Sequence, residues 1–451
     1  MIVNLNLDPQ FRPAICYLNE FKKNVLKTKN YEKVSITVER FNGLNETYNC
    51  VCFNANENKD DDNLFFLERI VKTLLWVYGG YKVIFVGPFN LYERLRDIYL
   101  NGERVFDSNF MGKIYDKQFE ITYSNKAPNH FKGDQSIGKH LNGMRIGFDA
   151  GGSDMKISAV VDGEPIYSDE IVWYPKINSN PEYHRKYIKD AIIMAVKRLP
   201  RVDALGISSA GVYVNNQVKA ASLFIKVDKE DFDLHVKNIF IDIAKELNVP
   251  LEVANDGDVA ALAGSMSLGK NKLIGLAMGT SEAVGYVNKD GNITGWLNEL
   301  AFVPVDFSGV GALDEWSGDI GCGVKYFSQD AVIRLAEIAG IKFDDKLAPA
   351  EKLKQVQKMD ENSEIYQEIF KTIGIYLGFG LAYYEEFYDI EHVLLMGRVT
   401  SYKGGNIIVD YAKRTLKKYF PDLAKKINVI LPDEKARRVG QSVAAASLVK
   451  I

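Results

Sequence analysis

A chain of 451 residues is too long for one compact core and predicts two or three domains of ordinary size. With 47% hydrophobic and 25% charged residues it sits at the globular average, which excludes wholesale disorder, collagen-like repeats and coiled-coil rods. A net charge of -3 and the lack of a local basic patch give no pull toward nucleic acid or anionic membranes. Four cysteines, Cys16, Cys50, Cys52 and Cys322, form neither a disulfide framework nor a paired CxxC zinc site, so a reducing cytoplasm is expected. The start of the chain has no basic stretch leading into a long apolar run, and no window approaches about 18 uninterrupted apolar residues. A protein neither secreted nor membrane-spanning is expected.

Residues 1–124 read as α/β. Strands are expected over 35–39 and 48–53, an amphipathic helix over 63–78, a buried strand over 82–86 closed by Gly87-Pro88, a helix over 91–99 and a strand over 118–123. No catalytic motif stands out in this part. Between Ser124 and Gly143 sustained periodicity disappears, which places a domain boundary there. The expected division is an accessory α/β domain with its linker over 1–140, a first lobe over 144–262 completed by a terminal helix at about 434–451, and a second lobe over 263–433.

Beyond the boundary, strands over 145–149, 156–162 and 166–174 suggest a β-meander. A helix over 182–199, strand 202–208, helix 233–247, strand 251–254 and helix 259–267 follow. The second half repeats the theme with strands 272–277 and 283–288, several helices between 328 and 388, strand 392–396, helix 406–419, strand 428–431 and helix 434–449. Strand hairpins and crossover helices imply two α/β lobes.

Four segments carry chemistry. Asp149-Ala150-Gly151-Gly152-Ser153, with Lys156 beyond, joins two expected strands. Its glycines would let backbone N–H groups approach phosphate oxygens, Ser153 and Lys156 would add donors, and Asp149 would hold Mg²⁺ through water. The alternative is a hairpin whose glycines merely supply positive φ. Gly279-Thr280-Ser281 is a second small-residue turn of the same kind, or an ordinary strand connection. Asn255-Asp256-Gly257-Asp258 ends a strand and opens an Ala-rich helix, where Asp256 is placed to take a proton from an alcohol, or where Asn255 or Asp256 simply caps the helix. Gly397 ends a strand, and Gly404-Gly405 opens a helix that would let a flat nucleoside lie on backbone, or is only a strand-to-helix turn.

The order of these segments resembles the actin-like ATPase superfamily, and more narrowly the ROK (repressor, ORF, kinase) family of sugar kinases, over about 145–451. Gly206-Ile207-Ser208-Ser209-Ala210-Gly211-Val212 is similar to the family's Gly-Ile-x-x-Pro-Gly-x-Val segment, with Ala210 at the proline. Asn255 to Asp258 resembles its Asn-Asp-Ala-Asn motif, Gly295 to Pro304 its Gly-Glu-x-Gly-His segment, and Gly440 to Ser447 its small-residue terminal helix. The resemblance implies a two-lobed actin-like ATPase (ribonuclease H-like) fold, ATP and Mg²⁺ as cofactors, and phosphorylation of a sugar or sugar-like polyol. It further implies Asp256 as general base, Asn255, Glu299 and Gly211 at the sugar, and Asp149, Gly151, Gly152, Ser153, Lys156, Gly279, Thr280, Ser281, Gly397, Gly404 and Gly405 at the nucleotide. A homodimer is common in the family.

The departures are specific. The family's histidine falls on Phe302, two of its zinc cysteines fall on Glu315 and Ser317, its following glutamate falls on Val324, and Ser281 and Ala283 replace glycines. Cys322 alone cannot close a tetrahedral site, so no structural zinc is expected. Trp296, Phe302, Phe307, Trp316, Tyr326 and Phe327 are either a platform for a sugar ring or ordinary core. The five histidines show no ligand spacing. Two rivals stay open: a sugar-sensing regulator, disfavoured because residues 1–124 show no helix-turn-helix, and a degenerate kinase that binds sugar or nucleotide without turnover.

Overall fold

Pro13 opens α1 (Ala14–Lys27), whose Ile15, Leu18, Phe21 and Val25 recur at helical spacing and are buried. In the computed structural model, which describes residues 3, 5–132, 136–432 and 440–451, a sheet follows. It is built from β1 (Tyr31–Glu39) and β2 (Asn45–Phe53), then α2 (Asp60–Tyr78), β3 (Lys82–Val86), α3 (Phe89–Leu100), α4 (Val105–Tyr115) and β4 (Glu120–Tyr123). The strand order is β2-β1-β3-β4, with β3 and β4 parallel across the α3–α4 crossover. Asp60, Asp61 and Asp62 fill the first turn of α2, where carboxylates meet the positive end of the helix dipole. Two helices, α1 and α4, were not expected. Neither has a side chain capping its first turn, so the usual start signal is missing from the sequence.

The next stretch holds β5 (Met144–Ala150), β6 (Asp154–Val161), β7 (Glu164–Val172), α5 (Pro181–Val196), β8 (Ala204–Ser209), β9 (Val212–Val214), β10 (Gln217–Ala220), α6 (Lys229–Asp231), α7 (Ile239–Leu247), β11 (Leu251–Asn255) and α8 (Asp256–Leu268). Its five-stranded sheet runs β11-β8-β5-β6-β7. The first three strands are parallel and the last three form the expected meander. Ile146, Phe148, Ile157, Ile188, Ile207 and Ile239 belong to its core. The helix expected over 233–247 is divided: a π-turn (Phe232–Val236) bonds Lys237 N–H back to Phe232, and Asn238 leaves helical geometry before α7 begins.

The chain continues through β12 (Leu273–Met278), β13 (Glu282–Val287), α9 (Gln329–Ile338), α10 (Pro349–Gln357), α11 (Glu364–Tyr384), β14 (His392–Met396), α12 (Tyr402–Tyr419), α13 (Pro421–Lys426), β15 (Asn428–Ile430) and α14 (Gln441–Ala446). The sheet order here is β13-β12-β14-β15, with β14 and β15 parallel. Of the helix expected over 434–449, residues 441–446 are helical, and 433–439 lie outside the described residues. Contacts group the chain into one unit of Met1–Gly133, Leu276–Ala283 and Trp296–Leu431, and a second of Asp134–Gly275, Val284–Gly295 and Pro432–Ile451. Among the described residues no helix is long and apolar enough to cross a membrane.

Within the second unit α14 sits directly on strand backbone. A Cβ at Gly147 of β5 would collide with the carbonyl oxygen of Ser442, and one at Gly206 of β8 with that of Ala445. Arg145 then holds the chain beyond α14 through its Nη1 and the carbonyl of Val449, at 2.7 Å.

Candidate active site

β5, β8 and β11 are in register, so their carboxyl ends finish side by side: Ala150 pairs Ser209, which pairs Asn255. Polar groups at such an edge face the ligand side of an open α/β sheet. Asp149 is buried there and accepts a hydrogen bond from Ser208 Oγ at 2.6 Å. Burial pushes its carboxyl up to about 6. The Ser208 bond works against that rise, and the negative charge of Asp256 works with it. Asp256 is itself raised by burial, against the backbone N–H of Gly257, which lies 3.0 Å from its Oδ1.

Of the two candidate caps that the sequence left open, the structure gives the cap to Asn255. Asn255 caps α8 through Oδ1, which accepts from Gly257 N–H at 2.7 Å, while its Nδ2 donates to the carbonyl of Gly211 at 2.7 Å. Gly211 is at φ +134, and a Cβ there would strike the Ala220 carbonyl, so only glycine lets this carbonyl reach Asn255. Asp258 turns inward instead and accepts from Tyr286 N–H at 3.3 Å.

The 150–154 turn departs from the simple hairpin alternative, because neither Gly151 nor Gly152 is at positive φ. Gly151 N–H bonds the Asp154 carbonyl, and its own carbonyl accepts from Trp173 Nε1 at 2.8 Å. Ser153 Oγ donates to Asp154 at 2.8 Å, and Lys156 is paired with Asp154 at 3.1 Å. Lys156 is therefore paired locally, and the buried Asp149 and half-buried Asp256 have no cation bonded to them among the described residues. Hard oxygen donors carrying excess negative charge fit a Mg²⁺ held through water. Among the described residues no three metal-ligating side chains converge.

In the first unit, the turn Gly279-Thr280-Ser281 is closed by Gly279 N–H to the Ser281 carbonyl, and the Gly279 carbonyl accepts from Gln329 N–H at the start of α9. Thr280 and Ser281 are exposed. Gly397, at φ +92, passes the Met278 carbonyl where a Cβ could not. Gly404 and Gly405 lie in the first turn of α12, against Phe370 and the Thr400 carbonyl, so their smallness already serves packing. Glu299 is half-buried and its N–H donates to the Trp76 carbonyl at 3.0 Å.

Two groups were missed from sequence. Ser208 touches Asp149, a contact that depends on strand register; its trace in the sequence is a hydroxyl at the end of a buried strand. Glu282 is buried in β13 with Oε2 lacking a hydrogen-bond partner among the described residues, and burial pushes it up to about 8; a carboxylate in an apolar strand was the signal.

The aromatic residues are mostly core. Phe302 stacks on Trp76 at 4.1 Å, Phe307 meets Tyr17, Phe65 and Tyr383, Tyr326 bonds Asp306, Trp296 packs on Tyr78 and Tyr388, and Phe327 packs on Tyr384. Trp316 alone is largely exposed, at 67%. The residues at the family's zinc positions do not fit a metal. Position 302 is an apolar ring, Glu315 points to solvent paired with Lys325 at 2.6 Å, Ser317 bonds Asp314, and burial pushes the Cys322 thiol up to about 12.

A model of the ROK family matches residues 145–450. No curated protein matches the chain. Among solved structures, a ROK hexokinase from Thermus thermophilus aligns at 17% identity with a TM-score of 0.52, covering 68% of this chain and 97% of its own. A ROK family transcriptional regulator, described as a homologue of the E. coli MLC protein, aligns at 17% identity with a TM-score of 0.53, covering 68% and 79%. At such identity these likenesses show the actin-like ATPase fold and nothing narrower. With its carboxylate edge, its small-residue turns and a match across two thirds of its length, the chain belongs to the ROK family.

Proposed function

We propose that this chain is an ATP-dependent kinase acting on a sugar or sugar-like polyol, with Asp256 as the general base. The observation that carries the reading is the place of Asp256 directly after β11: Asn255 has the cap geometry and accepts Gly257 N–H at 2.7 Å, while Asp256 meets that N–H with one oxygen only, at 3.0 Å. Burial raises its carboxyl, the direction that makes it a better proton acceptor. Asn255, held by the Gly211 carbonyl, orients the base, and Glu299 is the candidate partner for sugar hydroxyls in the first unit.

Asp149 is the residue that would hold Mg²⁺, which when bound supplies charge neutralisation to the phosphoryl group. Ser208 fixes the direction of that carboxylate. Backbone and hydroxyl donors of 151–153 and 279–281 are the candidate phosphate contacts; Lys156 joins them only by leaving Asp154. Gly397, Gly404 and Gly405 remain candidates for the nucleoside.

The test is ADP release by the purified chain with Mg-ATP against hexoses, amino sugars, ketoses and cyclitols. Asp256→Asn should reduce turnover by about 10²–10⁴-fold while sugar-induced thermal stabilisation persists. Full turnover in Asp256→Asn would sink the assignment of the base. The second reading, a non-catalytic sugar-binding regulator, is favoured by Ser281 and Ala283 standing in the phosphate turn. Stabilisation by sugar with no ADP from any acceptor would select it. Contrary to the sequence expectation, this part does hold two short helices around a glycine-containing turn, α3 and α4 joined by residues 101–104, but they form the crossover between the parallel strands β3 and β4 of the four-stranded sheet, so DNA reading by this part is not proposed.

A further inference from the structure

A charge cluster lies buried in the first unit, where the N-terminal helices meet the segment of the lost zinc motif. Glu68 accepts both Nε and Nη2 of Arg69, at 2.6 and 2.7 Å, and Nε of Arg104 at 2.5 Å. Asp319 receives Arg69 at 3.0 Å, Arg104 at 2.9 Å and Lys72 at 2.8 Å, and Lys72 also lies 3.3 Å from Asp107. Three cations face three carboxylates, and all six are nearly sealed from solvent. Burial alone would push Asp319 up; Arg69, Lys72 and Arg104 overcome this and hold it well below the usual carboxylate range. Lys72 is held by charge and not by an aligned hydrogen bond, and its ammonium also faces the sulfur of Cys322.

The same helix reaches the candidate sugar segment. The last carbonyls of a helix have no partner inside it, and in α2 those of Trp76 and Val77 accept from Glu299 N–H and Asn298 N–H, each at 3.0 Å. Trp76 stacks on Phe302 and donates Nε1 to Asp107 at 2.6 Å. Asn298 Oδ1 is fixed from the other side by Tyr388, at 2.9 Å. One rigid helix thus grips both ends of the 298–322 segment.

We propose that α2 replaces the metal of this motif: the Lys72 ammonium, flanked by Arg69 and Arg104, ties down Asp319 while the helix end positions Glu299, so the N-terminal region is a built-in brace of the sugar segment. Divalent metal is disfavoured electrostatically, since three buried cations already surround Asp319, the carboxylate 3.8 Å from the Cys322 sulfur, and Asp314 is bonded to Ser317. Lys72 is a positioning residue in this scheme. Its effect on sugar affinity rests on the kinase reading above; its effect on the segment does not.

The experiment uses the full chain. Wild type is expected to carry no zinc at one per chain after purification, and chelator should leave its melting temperature unchanged. In Lys72→Met, amide hydrogen exchange over 298–302 and 314–322 should rise at least tenfold, and KM for the sugar should rise about tenfold with kcat and the KM for ATP within threefold. The charge-balanced double variant Lys72→Met with Asp319→Leu should recover slow exchange and the wild-type KM. Should Lys72→Met yield no folded protein, the double variant alone is measured against wild type. One tightly bound zinc per chain overturns the proposal, as does unchanged exchange in Lys72→Met, or a double variant that fails to fold or exchanges as fast as the single one. If no acceptor is phosphorylated, the kinase reading falls while the exchange and zinc measurements still decide the brace.

Discussion

Replacing Asp149 by asparagine should stabilise the nucleotide-free protein while removing its response to Mg-ATP. The ordinary aspartate value is 3.8, and in the folded chain Asp149 is pushed up to about 6, first by burial. Below pH 4 the carboxyl is protonated in both folded and unfolded states, and it contributes no difference. As pH rises from 4 to 6 the unfolded chain ionises while the folded one still holds its proton, so stability falls; above pH 6 the loss is complete, at about 3 kcal/mol. Asparagine keeps an oxygen for Ser208 Oγ and carries no charge. The melting temperature of Asp149→Asn relative to wild type should therefore be near zero difference at pH 4 and grow to roughly 6–12 °C by pH 7.5. Paired thermal melts across that range, without nucleotide, read this directly. A difference that is flat with pH, or that shrinks as pH rises, would refute the account of Asp149 as an undercompensated buried charge. The stabilised variant should also show no stabilisation by Mg-ATP, the usual exchange of stability for function at a charged site.

Glu282→Gln follows the same sign with a different window. Burial raises Glu282 from 4.5 to about 8, so the advantage of the variant in urea unfolding should grow from pH 5 to pH 8 and then stay level, whereas that of Asp149→Asn stops growing near pH 6. Gly206→Ala places a methyl group against the Ala445 carbonyl and must displace α14 from β8. A loss of about 3 kcal/mol by chemical denaturation is expected, with sugar or nucleotide stabilisation weakened because β8 carries Ser208; a variant as stable as wild type would mean that α14 does not seat there.

How much of this was legible depended on the range of the signal. The strand over 82–86 and the strand over 392–396 coincide with β3 and β14, because a short apolar run and its flanking turn residues are local properties. At 255–258 the sequence offered either Asn255 or Asp256 as the cap, and only Asn255 has the backbone geometry for it. The Asp149–Ser208 contact was hidden, because it depends on which strands lie side by side. Arg69 and Asp319 stand 250 positions apart, and nothing near either residue announces the other. A charged helix in a sequence is ordinarily read as a solvated face, so Lys72 looked unremarkable until its neighbours were in view. Glycines carry a weaker signal: Gly404 and Gly405 pack against Phe370 and the Thr400 carbonyl, which already accounts for their size and leaves the nucleoside contact a proposal.

The seat of α14 has a consequence for the order in which the molecule can be made. Ser158 on β6 and Ser442 on α14 share a hydrogen bond across 284 positions, and the glycines of β5 and β8 leave bare backbone until that helix arrives. A ribosome adding about 5–20 residues per second needs on the order of tens of seconds to cover that distance. Over the part of this interval that follows the synthesis of β11, the five-stranded sheet is complete in sequence but lacks α14 over its glycines, an opening that a chaperone can occupy and that premature termination would leave permanently exposed.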